Sequence, residues 1–425
     1  MPTKFKKRVK VSYRDDEWTE SNDGNCHEIY IMNQQTKSMD ENIHHDEQQQ
    51  EDLMESSSPR SQHPPIKKQK GFIRLEESNL DDQHYDDHLT FPDDIVFHVM
   101  QFLGSTFIWS TCVRVCKQWY SQACAIPLSL DFSKRKKQSI RFDVHYINNM
   151  LNLTKLDLSS CIINDQDLKY LSNCGFKNNL KFLTLWRNNI GSRGAGHIAS
   201  TMRNLTYLDL YYNCVGVKGA KLIATSEHLK NLTFLNLGVN PIRCEGVRAL
   251  CSSQHVCQNL EVLKVGFTSL GIEGAKCISN CEKLQNLNQL DISNNTLGAE
   301  GAKYISTSVY LKNLTYLCMN GNDIGDEGVK FIATSECMKK LKELHLQCNN
   351  VGDQGAKYLS HSEHVRNIID LDLSSNMISD DGATRLGTSE VLKHLQVLDL
   401  TRNKLTVHGV GIIRQHLSDL LYFHH

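Results

Sequence analysis

Apolar and polar positions recur along most of this chain with one long period. A leucine-type residue opens each unit at Leu153, Leu180, Leu205, Leu232, Leu260, Leu287, Leu314, Leu341, Ile368 and Leu395, 25 to 28 residues apart. Inside a unit the text reads L-x-x-L-x-L-x-x-N, as in Leu314, Leu317, Met319 and Asn322, followed by G-x-x-G-A/V-x-x-I, as in Gly325, Gly328, Val329 and Ile332. Alternation at the fourth and sixth positions predicts a short strand with one face buried, and the A/V-x-x-I spacing predicts a helix with two apolar side chains on one face. Each unit is then one strand and one helix that bury a core only by stacking on their neighbours.

Two further positions recur. Asn188, Asn213, Asn240, Asn295, Asn322, Asn349, Asn376 and Asn403 occupy the ninth position, where a side-chain amide can bridge loop backbone of successive turns. The paired glycines, from Gly191 and Gly194 through Gly352 and Gly355, suit a sharp turn into a closely packed helix through positive φ and the missing side chain. Their G-x-x-G carries no lysine and hydroxyl of a nucleotide loop, so the glycines read as structural. The first unit differs: Cys161 replaces the asparagine, and Leu168 and Leu171 replace the small residues, as suits an end unit beside another domain.

This text resembles the leucine-rich repeat, in the longer strand-plus-helix form of ribonuclease-inhibitor-like and Ran-GTPase-activator-like proteins. The resemblance implies an α/β fold, a horseshoe solenoid with parallel strands inside and helices outside, over residues 152–425 in about ten repeats.

Upstream, residues 89–133 carry a different pattern. Pro92 stands at a helix start, Asp93 and Asp94 suit a first turn, and Ile95, Val96, Val99, Phe102 and Leu103 follow at helical spacing up to Gly104. A patch at Phe107, Ile108 and Trp109 and a run from Cys112 to Cys124 complete three short helices. Pro92, Asp94, Ile95, Val99, Phe102, Leu103, Val115, Cys116, Lys117 and Trp119 are similar, in order and spacing, to the F-box pattern, with Phe91 where that family usually has leucine. The resemblance implies docking on a ligase adaptor and, through it, a cullin, with Phe91, Pro92, Asp94, Ile95 and Val99 at the contact and Trp119 in packing. The function implied is a substrate receptor of a Skp-cullin-F-box type ubiquitin ligase, not itself an enzyme. A GTPase regulator or a plain protein-binding scaffold is the alternative, and a helical cap on the end of the solenoid is the bland reading of residues 89–133.

Strand alternation predicts the ligand-facing side chains of the repeats. Early units place Phe182, Trp186, Tyr207, Tyr211, Tyr212, Phe234 and Phe267 there; late units place Glu343, Asp370, Asp372 and Asp399, with Arg402 as counterweight. Exposed aromatics are candidate anchors for a protein target, and stacking along the strand ladder is the competing reading. On the helical side Lys221, Arg248, Lys276, Lys303, Lys330 and Lys357 share one position, partly offset by Glu227, Glu336, Glu363 and Glu390, so nucleic acid is not the expected partner.

Composition adds bounds. The chain has 47 basic and 48 acidic residues, net -1. Residues 1–88 hold 12 of the basic and 19 of the acidic ones, net -7, leaving 35 and 29, net +6, for the rest. That first segment, with Gln48–Gln50, Ser56–Ser58 and paired prolines, reads as a disordered tail, and residues 134–151 read as a linker. No apolar run is long enough to span a membrane, and no secretion signal opens the chain, so the expected compartment is the cytoplasm; the basic clusters Lys4–Lys10 and Lys67, Lys68 and Lys70 leave the nucleus open. Fifteen cysteines without C-x-x-C pairs argue against a metal or disulfide framework, and the pair Cys277 and Cys281 reads as small buried hydrophobes. No cofactor is expected. The N-x-T triplets at Asn152, Asn204, Asn231 and Asn313 fall at strand starts and read as repeat consensus.

Overall fold

The computed structural model describes residues 93–101, 103, 108, 117–133, 151–417 and 419–425. The chain divides into two units, Met1–Asp82 and Gln83–His425, and every described residue belongs to the second. The proposed tail and nearly all of the proposed linker lie outside the described residues, as do Phe91 and Pro92.

Two helices, α1 (Asp93–Gln101) and α2 (Lys117–Ala125), lead into a strand, β1 (Leu128–Asp131). Then strand and helix alternate: β2 (Leu153–Asp157), α3 (Asp165–Leu171), β3 (Phe182–Thr184), α4 (Ser192–Thr201), β4 (Tyr207–Asp209), α5 (Gly216–Ala224), β5 (Phe234–Asn236) and α6 (Arg243–Ser252). The second half continues with β6 (Val262–Lys264), α7 (Gly271–Ser279), β7 (Gln289–Asp291), α8 (Gly298–Ser306), β8 (Tyr316–Cys318) and α9 (Gly325–Ala333). It closes with β9 (Glu343–His345), α10 (Asp353–Ser360), β10 (Asp370–Asp372), α11 (Asp380–Gly387), β11 (Val397–Asp399), α12 (Val407–His416) and β12 (Tyr422–His424). The strands form one sheet of 12 in sequence order, and every pair is parallel. The expected leucine-rich-repeat solenoid is therefore present, and it extends by one strand at each end beyond the ten units. Past α12, Leu421 and Tyr422 donate their amides to the Gln396 carbonyl, which sets β12 beside β11.

From β3 to β11 each strand buries its middle leucine, so Leu183, Leu208, Leu235, Leu290, Leu317, Leu344 and Leu371 are all 0% exposed, and the flanking side chains are less covered except at Asn236 and Cys318. The helices bury the paired small and large residues, such as Ala275 with Ile278 and Val329 with Ile332. One continuous core runs from Val96 and Met100 of α1 through Ile108 and Ala123 to Leu417. The helical segment thus shares its core with the repeats.

The ninth-position asparagines form the expected ladder. Asn322 donates Nδ2 to the carbonyls of Ile292 in the preceding turn (3.0 Å) and Met319 in its own (2.9 Å), and its Oδ1 accepts the Asn295 amide at 2.9 Å. Where the first unit lacks asparagine, the Cys161 thiol faces the carbonyls of Ser159 and Phe132 at 3.2 and 3.6 Å. The turn glycines divide in two. Gly325 has φ +58, where a side chain would be strained. Gly191 and Gly352 are extended, at φ -98 and -108, against the expected positive φ; there the preceding repeat's Asp165 or Asp326 carboxylate accepts the turn amide at 2.7 Å and sets the chain direction instead.

Candidate functional site

Outward-facing strand residues align in two columns, because parallel neighbours pair in register at about 4.8 Å. Phe182, Tyr207 and Phe234 pair directly across β3, β4 and β5. Tyr207 and Phe234 stack with ring centroids 3.9 Å apart at 10°, and Phe182 leans on Tyr207 at 5.9 Å. The ammonium of Lys264 on β6 closes the row 6.0 Å above the Phe234 ring. A second row lies just past the strand ends. Trp186 meets Tyr211 at 6.5 Å, Tyr211 meets Tyr212 at 6.3 Å, and the Arg187 guanidinium sits 5.9 Å from the Tyr212 ring.

Stacking and exposure coexist here. Phe182 and Trp186 remain 42% and 38% exposed, while Tyr207, Tyr211, Tyr212, Phe234 and Phe267 are half-buried. Tyr212 and Phe267 take the left-handed backbone at φ +57 and +55, as does the residue before most ladder asparagines. Burial, followed by the charges of Asp209 and Asp157, pushes the Tyr207 phenol up to about 12. Asp209 is also held above the usual carboxylate range by burial, against the Tyr211 amide, the Asn236 side chain and the Lys264 charge.

The late half carries acids, but not all of them are free to recognise a ligand. Asp372 accepts the Ser374 amide and hydroxyl through Oδ1 at 2.8 and 2.6 Å, and Asp399 accepts those of Thr401 at 2.8 and 2.7 Å. These side chains build the turn after the strand and offer outward only what their second oxygen leaves. Glu343 is exposed and Asp370 half-buried. Two residues that sequence reasoning passed over join them: Tyr316 and His345 meet edge-on at 5.2 Å, and His345 Nε2 lies 3.7 Å from Asp370 Oδ1. The signal was available, since both occupy the same third and fifth positions; neither is acidic, and the aromatic reading stopped at the early units. Burial raises the Asp370 carboxyl, opposed by His345 and reinforced by Asp372 and Asp399.

The helical segment offers a second surface. Ile95 and Val99, one helical turn apart on α1, are each 48% exposed, whereas Val96 and Met100 are buried at 2% and 0%. Asp94 lies in the first turn of α1 beside Asp93, whose carboxylate accepts the Gln118 side chain at 2.7 Å and ties α1 to α2. Trp119 is partly buried against the core, as its packing role requires. Among the described residues no group of three or more His, Cys, Asp or Glu side chains could hold a metal ion, and no helix is long and apolar enough to cross a membrane.

On the outer face the lysine ridge is tied down by its neighbours. Lys276, Lys303 and Lys330 lie over Tyr304, Phe331 and Tyr358 of the following helices at 5.9, 5.4 and 5.9 Å, and Lys330 also pairs with Glu327 at 2.7 Å. The N-x-T asparagines have a structural use: Asn152 and Asn313 donate Nδ2 to Ala123 and Gln285 of the preceding turn at 2.8 and 2.7 Å.

Compared with known proteins, the chain matches the family model described as Leucine Rich repeat eight times, at residues 149–172, 201–224, 228–251, 283–306, 310–333, 337–360, 366–387 and 391–411. A search of curated proteins gives no match. Among solved structures the chain is similar to an internalin from Listeria monocytogenes, at 19% identity and a TM-score of 0.45, covering 78% of this chain and 93% of that one. It is also similar to the leucine-rich-repeat ectodomain of the Arabidopsis receptor kinase HAESA in complex with an N-terminally extended peptide hormone ligand, at 16% identity and a TM-score of 0.38, covering 74% of this chain and 45% of that one.

Proposed function

We propose that this leucine-rich-repeat solenoid is the substrate-recognition subunit of a Skp-cullin-F-box type ubiquitin ligase, with α1 docking on the adaptor and the strand face holding a protein target. The observation that carries the reading is the open apolar step on α1, where Ile95 and Val99 stay half exposed while Val96 and Met100 on the adjoining face are sunk in the core. A helix that only capped the solenoid would gain by turning those two side chains inward or by carrying polar ones. The protein does no bond chemistry in this scheme; it accelerates ubiquitin transfer by holding the target near the loaded enzyme.

For the target, the strand face offers aromatic anchors on β3–β5 and carboxylates on β9–β11. An extended segment with an apolar or aromatic anchor at one end and basic side chains at the other fits that order. Titration of purified adaptor against the full chain tests the docking half: tight binding is expected, and Ile95→Asp with Val99→Asp should abolish it without lowering the melting temperature. Binding weaker than tens of micromolar, about -6 to -7 kcal/mol, or insensitive to both changes, reduces α1 and α2 to a cap and leaves a plain scaffold or GTPase regulator.

A further inference from the structure

A serine recurs on the outer edge of the solenoid, in the turn after α5, α6, α8, α9, α10 and α11. Its hydroxyl donates to a carbonyl at the end of the previous repeat's helix, as Ser308 does to Ser279 (2.5 Å), Ser335 to Ser306 (2.6 Å) and Ser389 to Ser360 (2.6 Å). The same oxygen accepts a backbone amide two residues on, as in Ser335 and Cys337 at 3.1 Å. In the repeat of α7 this position is Cys281, whose Sγ lies 3.6 Å from the Cys251 carbonyl. A thiol in place of a hydroxyl would serve the ladder alone, yet two more thiols meet it. The side chains of Cys251, at the end of α6, and Cys257, whose Sγ donates to the Leu250 carbonyl at 3.1 Å, both interact with the Cys281 sulfur. All three are free cysteines.

The setting separates them chemically. The Leu284 amide donates to the Cys281 carbonyl at 3.1 Å, and the Lys283 ammonium is held beside the cluster by the Ser253 carbonyl at 2.5 Å. The Cys251 and Cys257 thiols favour the thiolate at Cys281 against its burial, while the same contact and burial raise Cys251 and Cys257 and keep them protonated. Cys281 is 4% exposed, and Cys251 is partly covered.

We propose that Cys281 and Cys251 form a peroxide-reactive dithiol that closes into a disulfide between two successive repeats. The Cys281 thiolate attacks the terminal oxygen of a hydroperoxide; an S–O bond forms, the O–O bond breaks, and the alkoxide leaves as the alcohol after taking a proton. The Cys251 sulfur then attacks the resulting sulfenic acid, forming the S–S bond as hydroxide departs with the Cys251 proton as water. Two electrons pass from the thiol pair to the peroxide.

The test is hydrogen peroxide titration of the reduced full chain, followed by alkylation and peptide fragmentation by mass spectrometry. A Cys251–Cys281 crosslink, two hydrogens lighter and reversed by dithiothreitol, is expected before other thiols react. Cys281→Ser installs the residue that other repeats carry, so it should fold normally and lower crosslinking at least tenfold, whereas Cys277→Ser should leave it unchanged. Oxidation of Cys277 or Cys244 first, with Cys281 still alkylated, overturns the proposal. So does accumulation of Cys281 as sulfinic acid without a crosslink.

Discussion

At the scale of single residues, stability rests on side chains that satisfy backbone groups of two turns at once. Asn322 is fully buried and serves two carbonyls and the Asn295 amide. Asn322→Ala strands the Asn295 amide away from water, at about 1–3 kcal/mol for an unsatisfied group, while the Ile292 and Met319 carbonyls keep Nδ2 of Asn295 and Asn349. We expect about 1–3 kcal/mol of destabilisation in urea unfolding, against a smaller loss for Asn403→Ala, whose site is only half-buried. Asp209 adds a pH signature. Its carboxyl is held above the usual value by burial, so the native state favours the protonated form. The stability this adds is complete below the unfolded pKa of about 3.9 and is lost as pH rises through the higher folded value. Relative to Asp209→Asn, the native chain should therefore gain stability as pH falls through that window; a flat difference between pH 7 and 4 would refute the shift. The asparagine ladder was legible because one residue type recurs at one position with an evident bonding need. The serine ladder was not, since serine at a turn has many uses and its acceptor lies a full repeat away.

At the scale of elements, period decided what could be read. Ten strands and their helices follow from positions repeated every 25 to 28 residues, and the strand order follows from stacking. The two end strands escaped that reading for a physical reason. Leu128 and Leu130 of β1 are buried, but they lack the repeat's asparagine and glycines and join the sheet through a register shift at Leu128 and Ser129. β12 ends the chain with Tyr422, Phe423 and His424, of which Tyr422 is 62% exposed, so no alternation of burial marks it as a strand. In α1 the helix itself was legible from Ile95, Val96 and Val99. Which side faces the core was not, because Val96 and Met100 on one side and Ile95 and Val99 on the other are all apolar, and only packing against Ile108 and the first repeats chooses between them.

At the scale of the whole solenoid, each repeat touches mainly its two neighbours, so length is adjustable while local chemistry is kept. The aromatic row ends at Phe234 on β5 and the acidic patch begins at Glu343 on β9, four strand steps or about 19 Å apart at the usual parallel spacing. Removing residues 289–315 excises β7 and α8 as one unit and brings Tyr316 into register beside Val262, with leucine, asparagine and glycine positions matched across the join. The shortened chain should fold with a similar circular dichroism spectrum and a modestly lower melting temperature, since one pair of stacking contacts is lost and an equivalent pair replaces the other. Binding separates the possibilities. A target that engages both patches meets them about 5 Å closer and should lose at least tenfold in affinity, as expected when two linked contacts cannot be made together. A target anchored on the aromatic row alone should bind the shortened chain unchanged, which would confine recognition to β3–β6 and remove the carboxylates of β9–β11 from the site.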